Sequence, residues 1–132
     1  MGTVTYLLDT HTFLWSVRES NRLSDKAKGI ITDKNIQKFV SAVSAYEVMY
    51  KHHIGKLQEY EGIAENYLDL LHTFGATKLS IDTEHAHLSG KMDWLHRDPF
   101  DRMLAAQAKI ENMTLITSDP AFNDLPWLSL LW

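Results

Sequence analysis

The stretch His96-Arg97-Asp98-Pro99-Phe100-Asp101-Arg102-Met103-Leu104-Ala105-Ala106-Gln107-Ala108 joins charge and core packing in a single helix start, and the fold is read outward from it. Asp98 followed by Pro99 has the form of N-cap then N1, where the missing proline N–H costs nothing and an aspartate oxygen can take a free backbone N–H. Phe100, Met103, Leu104 and Ala108 recur at near-helical spacing, which predicts a helix over about residues 99–111 with one face in a core. Asp101 falls in the first turn, off that apolar stripe, and projects from the helix mouth.

Strands alternate with helices on both sides of this segment. Val4-Thr5-Tyr6-Leu7-Leu8 is an apolar, β-branched run, and Asp9-Thr10 after it can open a helix through Thr12, Phe13, Leu14 and Trp15. Ser24-Asp25-Lys26-Ala27 opens a second helix, to about residue 34, by N-cap logic. Phe39-Val40-Ser41 reads as a second strand. Ser44-Ala45-Tyr46-Glu47 then has the spacing of a capping box, and the helix it opens carries Tyr46, Val48, Met49 and Tyr50 before stopping at Gly55. Residues 63–74 form an amphipathic helix closed by Gly75. Residues 77–81 make a third strand, and Asp82 or Thr83 caps a helix to about Leu88. After the central helix, Met113-Thr114-Leu115-Ile116-Thr117 is a fourth strand ending in Ser118-Asp119-Pro120, and residues 128–131 form a short edge strand. This order implies parallel βαβ units with right-handed crossovers. The expected fold class is α/β: a three-layer α/β/α sandwich around a central, mainly parallel sheet.

The 132 residues, 45% of them hydrophobic, suit one domain that builds its core without staples. With no cysteine, disulfides, thiolate metal sites and a cysteine nucleophile are excluded. No run of about 18 apolar residues and no signal-like start occur, so the expectation is a cytoplasmic protein with no membrane association. A net charge of −4 argues against a non-specific nucleic-acid coat, which needs clustered Lys and Arg, but leaves room for an enzyme that holds nucleic acid through metal ions.

Four carboxylates carry the chemistry. Asp9 and Asp119 each follow an apolar strand, at the sheet edge where ligands bind in parallel α/β folds. Glu47 and Asp101 lie in first turns of helices that start near that edge. Singly, Asp9 can be an N-cap, Glu47 can close a capping box on Ser44, and Asp119 before Pro120 can be a turn or cap residue. Asp98 is mainly a capping residue. Together they are costly, because two carboxylates about 5 Å apart repel by roughly 3 kcal/mol at an effective dielectric near 20. A cation offsets that repulsion, and an all-oxygen ligand set suits Mg²⁺ or Mn²⁺ rather than zinc. Such ions support in-line attack at phosphorus.

On Leu7-Leu8-Asp9-Thr10-His11-Thr12-Phe13-Leu14-Trp15, Ser44-Ala45-Tyr46-Glu47, His96 to Ala108, and Leu115-Ile116-Thr117-Ser118-Asp119, the chain resembles the PIN-domain (PilT N-terminal) ribonucleases, most closely the toxins of VapBC-type toxin–antitoxin pairs. The pieces follow the family's order and separations across essentially the whole chain. The resemblance implies metal-dependent endonucleolytic cleavage of RNA that leaves a 5′ phosphate and a 3′ hydroxyl. Under it, Asp9, Glu47, Asp101 and Asp119 take the catalytic, metal-binding positions and Thr117 the hydroxyl position beside the last of them. Asp98 matches a motif aspartate of the subgroup. It further implies a small antitoxin protein that blocks the site and a homodimer.

Other readings compete. Asp9-Thr10-His11-Thr12 after a strand resembles the start of a phosphoaspartate-type small-molecule phosphatase, although His11 stands where the second aspartate belongs. A catalytically silent PIN-like binding module would show no metal-dependent turnover. A kinase catalytic loop at His96-Arg97-Asp98 is excluded by Met103 in place of the required asparagine. Lys51, His52, Lys56, Arg97 and Arg102 are candidate RNA phosphate contacts, against a solvated helix face. His52, His53, His85 and His87 read as solvated surface rather than zinc ligands. The four tryptophans, Trp15, Trp94, Trp127 and Trp132, read mainly as core.

Overall fold

The structure is a computed structural model describing residues 3–132. Its elements run β1 (Tyr6–Leu8), α1 (Thr10–Arg18), α2 (Asp25–Thr32), β2 (Lys38–Ser41), α3 (Ala42–His53), α4 (Glu61–Glu65), α5 (Tyr67–Phe74), β3 (Thr77–Leu79), α6 (Thr83–Lys91), α7 (Pro99–Ile110), β4 (Thr114–Ile116) and β5 (Leu130–Leu131). The sheet order is β3-β2-β1-β4-β5 and every pairing is parallel. Leu8 stands level with Val40 on one side and Ile116 on the other.

Strand alternation divides the apolar residues between two cores. Leu8, Val40 and Ile116 face a cluster with Phe13, Leu14, Ala27, Ile31, Ile63 and Leu71 from α1, α2, α4 and α5. Leu7 and Leu115 face the opposite cluster with Leu104, Ala105, Ala108, Met92 and Phe122 from α6, α7 and the turn after β4. These are the three layers of the expected sandwich. The chain moves outward from β1 to β2 and β3, then returns to place β4 on the other side of β1. That reversal opens a crevice at the carboxyl ends of β1 and β4.

Helix starts follow the sequence where the cap is unambiguous. Ser24 accepts from the Ala27 N–H, and Asp98 Oδ1 accepts from the N–H groups of Phe100 and Asp101. Gly75, at φ +83°, closes α5 in the left-handed conformation. Two helices depart from expectation. α3 is capped by Ser41, one turn before Ser44, because the Ser41 hydroxyl accepts from the Val43 N–H; Ser44 therefore lies inside the helix and the capping box does not form. The segment from Ile63 to Phe74 breaks at Asn66 (φ −119°, ψ 24°), whose side chain donates back to Gly62 O, so two short helices replace one. The strands are also shorter than their apolar runs, ending where helix caps take over.

Buried polar links brace α6 and α7 against the sheet. Arg102 donates to the backbone oxygens of Ser89, Met92, Trp94 and His96, fastening the connection between α6 and α7. Four of its N–H groups are thereby engaged, so its expected part as an RNA phosphate contact gives way to a structural one. Gln107 receives the Ser41 hydroxyl at 2.5 Å and donates to Ser80 O. His85 is 1% exposed, not solvated: Nδ1 accepts from the Asp82 N–H and Nε2 lies 2.8 Å from Glu111, so the ring caps α6 while tying it to the end of α7. Trp94 is core, whereas Trp127 stays half-exposed beneath Lys109.

Candidate active site

One cleft at the crevice is lined by Asp9, Thr10, His11, Trp15, Glu47, Asp101, Ser118 and Asp119. Four carboxylates distant in sequence thus share a single wall of solvent, each delivered by its element. Asp9 follows β1 and caps α1: Oδ1 accepts from the Thr12 N–H at 2.7 Å, while Oδ2 takes the hydroxyl of Thr117 at the end of β4. Capping and the cleft are therefore compatible uses of one side chain. Glu47, inside α3, accepts the Thr10 hydroxyl at 2.6 Å and the Lys51 ammonium at 2.5 Å. Asp119 caps the turn after β4 through Ala121 N–H, and its own N–H donates to Thr117 Oγ1. Asp101 sits one turn into α7 with Oδ2 2.7 Å from Nε2 of His96.

Burial and mutual repulsion leave a signature on these groups. Burial lifts the pKa of Asp9 above the usual carboxylate range, and the hydrogen bonds from Thr117 and Thr12 hold it back. Asp101 is pushed up to about 6, first by burial and then by the charges of Asp98, Glu47 and Asp119, against the lowering effect of the His96 hydrogen bond. A group that cannot easily stay ionised among its neighbours is a site short of positive charge. Among the described residues, Oδ1 of Asp101 and Oδ2 of Asp119 take no protein hydrogen bond, so oxygen donors remain open in an acidic cleft. That donor chemistry fits a hard divalent cation.

Other groupings are tighter. Among the described residues, the sets of three ligand-bearing residues with atoms within 4.8 Å of one another are His96–Asp98–Asp101, at the cleft's edge, and Asp82–His85–Glu111, at the far end of α7. In the second, both nitrogens of His85 are already hydrogen-bonded.

Of the candidate cationic residues, Lys51 pairs with Glu47 and lies 5.9 Å from the Phe100 ring centre, while Lys56 and Arg97 are exposed and His52 is half-buried. Thr10, Ser44 and His96 escaped the sequence reading. Thr10 gives its one hydroxyl proton to Glu47, so the Ser44 hydroxyl, 3.0 Å from Thr10 Oγ1, donates to it and the pair orients Glu47. The signal for His96 was present in its position two residues before the Asp98 cap.

Several solved structures share this architecture. VapBC2 from Rickettsia felis, solved bound to a promoter DNA fragment, superposes with a TM-score of 0.71 at 20% identity, covering 97% of this chain and 98% of that one. DNA-bound VapBC from Salmonella typhimurium gives 0.69 at 15% identity, with 98% of each chain covered. FitAcB from Neisseria gonorrhoeae gives 0.66 at 17% identity over 97% of each. A search of the curated proteins finds no match. The family model described as "PIN domain" matches residues 6–128, from β1 to just before β5, and by that match the chain belongs to the PIN domain family.

Proposed function

We propose that this PIN domain is a Mg²⁺- or Mn²⁺-dependent endoribonuclease acting as the toxin of a toxin–antitoxin pair. The observation that carries the reading is the convergence of Asp9, Glu47, Asp101 and Asp119 on one cleft, with Asp101 unable to hold its charge comfortably there. A divalent ion bound between these oxygens would neutralise them, polarise a phosphodiester and activate water for in-line attack. The chain's own contribution is positioning. Thr12 N–H and Thr117 fix both oxygens of Asp9, Thr10 and Lys51 fix Glu47, and His96 orients Asp101. No side chain needs to become covalent, which separates this reading from a phosphoaspartate phosphatase, in which Asp9 would be the nucleophile. His11 stands where such a phosphatase carries its second aspartate, which disfavours that role.

Fold likeness to chains from toxin–antitoxin complexes supports a small protein antitoxin as partner. For a homodimer, the supporting feature is an aromatic patch beside the cleft. Tyr46, 63% exposed, and Tyr50 stack at 6.1 Å, and both lie against Phe100, with Met49 and Ile54 also exposed on or just after α3. Tyr46→Glu should convert a dimer to a monomer, as read by light scattering.

RNA cleavage by the purified chain should require added Mg²⁺ or Mn²⁺ and be lost in Asp101→Asn, by at least a hundredfold. Cleavage in excess EDTA at the rate seen with Mg²⁺ would overturn the mechanism. Mapping cut sites across total cellular RNA identifies the target.

A further inference from the structure

A second site lies at the opposite edge of the sheet. Lys38 begins β2, level with Tyr6 at the start of β1, and is 7% exposed. A lysine buried to this degree usually faces a carboxylate. This one donates a single hydrogen bond, to the backbone oxygen of Asp33 at 2.6 Å. Among the described residues, no carboxylate oxygen lies within 4.0 Å of its ammonium. The Asp33 side chain is turned instead to the Asn35 N–H. Among the described residues, two of the three N–H donors of Lys38 are left without a protein acceptor. Burial pulls its pKa down, and the charge of Asp33 only partly restores it.

Beside Lys38 is a cavity roomier than the carboxylate cleft, walled by the last turns of α1 and α2, the segment leading into β2, and the α5–β3 turn. Its polar lining includes Lys34, Lys38, Asn35, Ser16, Thr73 and Thr77, and Ile31, Ile36 and Phe74 supply an apolar wall. No acidic residue lines it. The carboxylate cleft sets four acids against the one ammonium of Lys51, whereas this cavity is lined by two ammoniums, with Asp33 the acid whose charge reaches Lys38. The geometry points to an oxyanion site, which takes a small molecule whose phosphate or carboxylate head pairs with Lys38 and Lys34 and whose apolar or ring-bearing body lies against Ile36 and Phe74. Pairing at Lys38 would give its two open N–H donors a charged acceptor.

The test is titration of the full chain, followed by ¹H–¹⁵N NMR, with three separate probes: inorganic phosphate, adenosine monophosphate and hexanoate. Saturable shifts at residues 34–38 and 73–77 with at least one probe are expected. Phosphate alone binding as well as the nucleotide assigns recognition to the head; tighter nucleotide or hexanoate binding assigns a share to the apolar wall. Lys38→Met, which keeps the stem and removes the charge, should weaken binding at least tenfold. Lys34→Glu, at an exposed position that the fold does not depend on, should weaken it severalfold and serves if Lys38→Met loses its native spectrum. The proposal is overturned by no saturable binding of any probe, by unchanged affinity in the variants, or by shifts confined to the carboxylate cleft. None of these outcomes depends on ribonuclease activity.

Discussion

A carboxyl group that keeps its proton up to about pH 6, as Asp101 does, couples acidity to stability with a sign opposite to that of a salt-bridged aspartate. Between the ordinary aspartate value of 3.8 and about 6 the folded chain binds a proton that the unfolded chain has released. Stability from this group is therefore gained as pH falls through 6, and the penalty is fully present above it. In EDTA at pH 7.5, Asp101→Asn should melt a few degrees higher than wild type, on the order of 1 to 2 kcal/mol after solvent screening, and the advantage should vanish near pH 4. Millimolar Mg²⁺ should stabilise wild type more than the variant, since it binds the folded cluster. If Asp101 served only the dipole of α7, its loss would cost stability in either condition. Lys51 allows the complementary test. It neutralises Glu47 now, so Lys51→Met should destabilise the chain in EDTA by about 1 kcal/mol, seen as a lower melting point, and enlarge the Mg²⁺ shift; equal Mg²⁺ shifts would separate Lys51 from the ion. Residue by residue, Asp9, Asp101 and Asp119 were legible because each closes an apolar run or lies in a helix's first turn, whereas Glu47 was placed through a capping box that does not form, since α3 begins at Ala42. The hydrogen-bond partners were not, since Thr10 and Ser44 meet Glu47 only after α1 and α3 pack.

At the scale of elements, caps were readable and tertiary commitments were not. Ser41 and Ser44 are spaced one turn apart and either can begin a helix. Ser41 wins because its hydroxyl both caps α3 and donates to buried Gln107, whereas that of Ser44 is drawn to Thr10. Ser41→Ala should cost about 1 to 2 kcal/mol in chemical denaturation, and Ser44→Ala less, with its effect on cleavage instead. Arg102 follows the same logic: beside Asp101 it looked like a phosphate ligand, yet four carbonyls from the α6–α7 connection claim it. Arg102→Gln should destabilise by roughly 2 to 4 kcal/mol, because buried acceptors lose their donors. A variant of wild-type stability with weakened RNA binding would return Arg102 to the surface role.

For the whole molecule, alternating strand and helix signals were enough to specify a parallel three-layer fold, because buried parallel strands admit few other arrangements. The partners of that fold lie in surface chemistry, which periodicity does not encode. Expression of wild type should arrest growth, while folded, equally abundant Asp9→Ala should not; equal arrest by both would point away from RNA cleavage. The sheet order also has a consequence for synthesis. β1 is made before both of its sheet neighbours, β2 and β4, and β4 together with Asp119 is made only after α7. A ribosome-bound chain lacking residues beyond 113 has three of the four acids, no Thr117 to fix Asp9, and one edge of β1 still open. The four carboxylates therefore cannot share one cleft until β4 and the turn after it have been made, whatever chemistry the cleft supports.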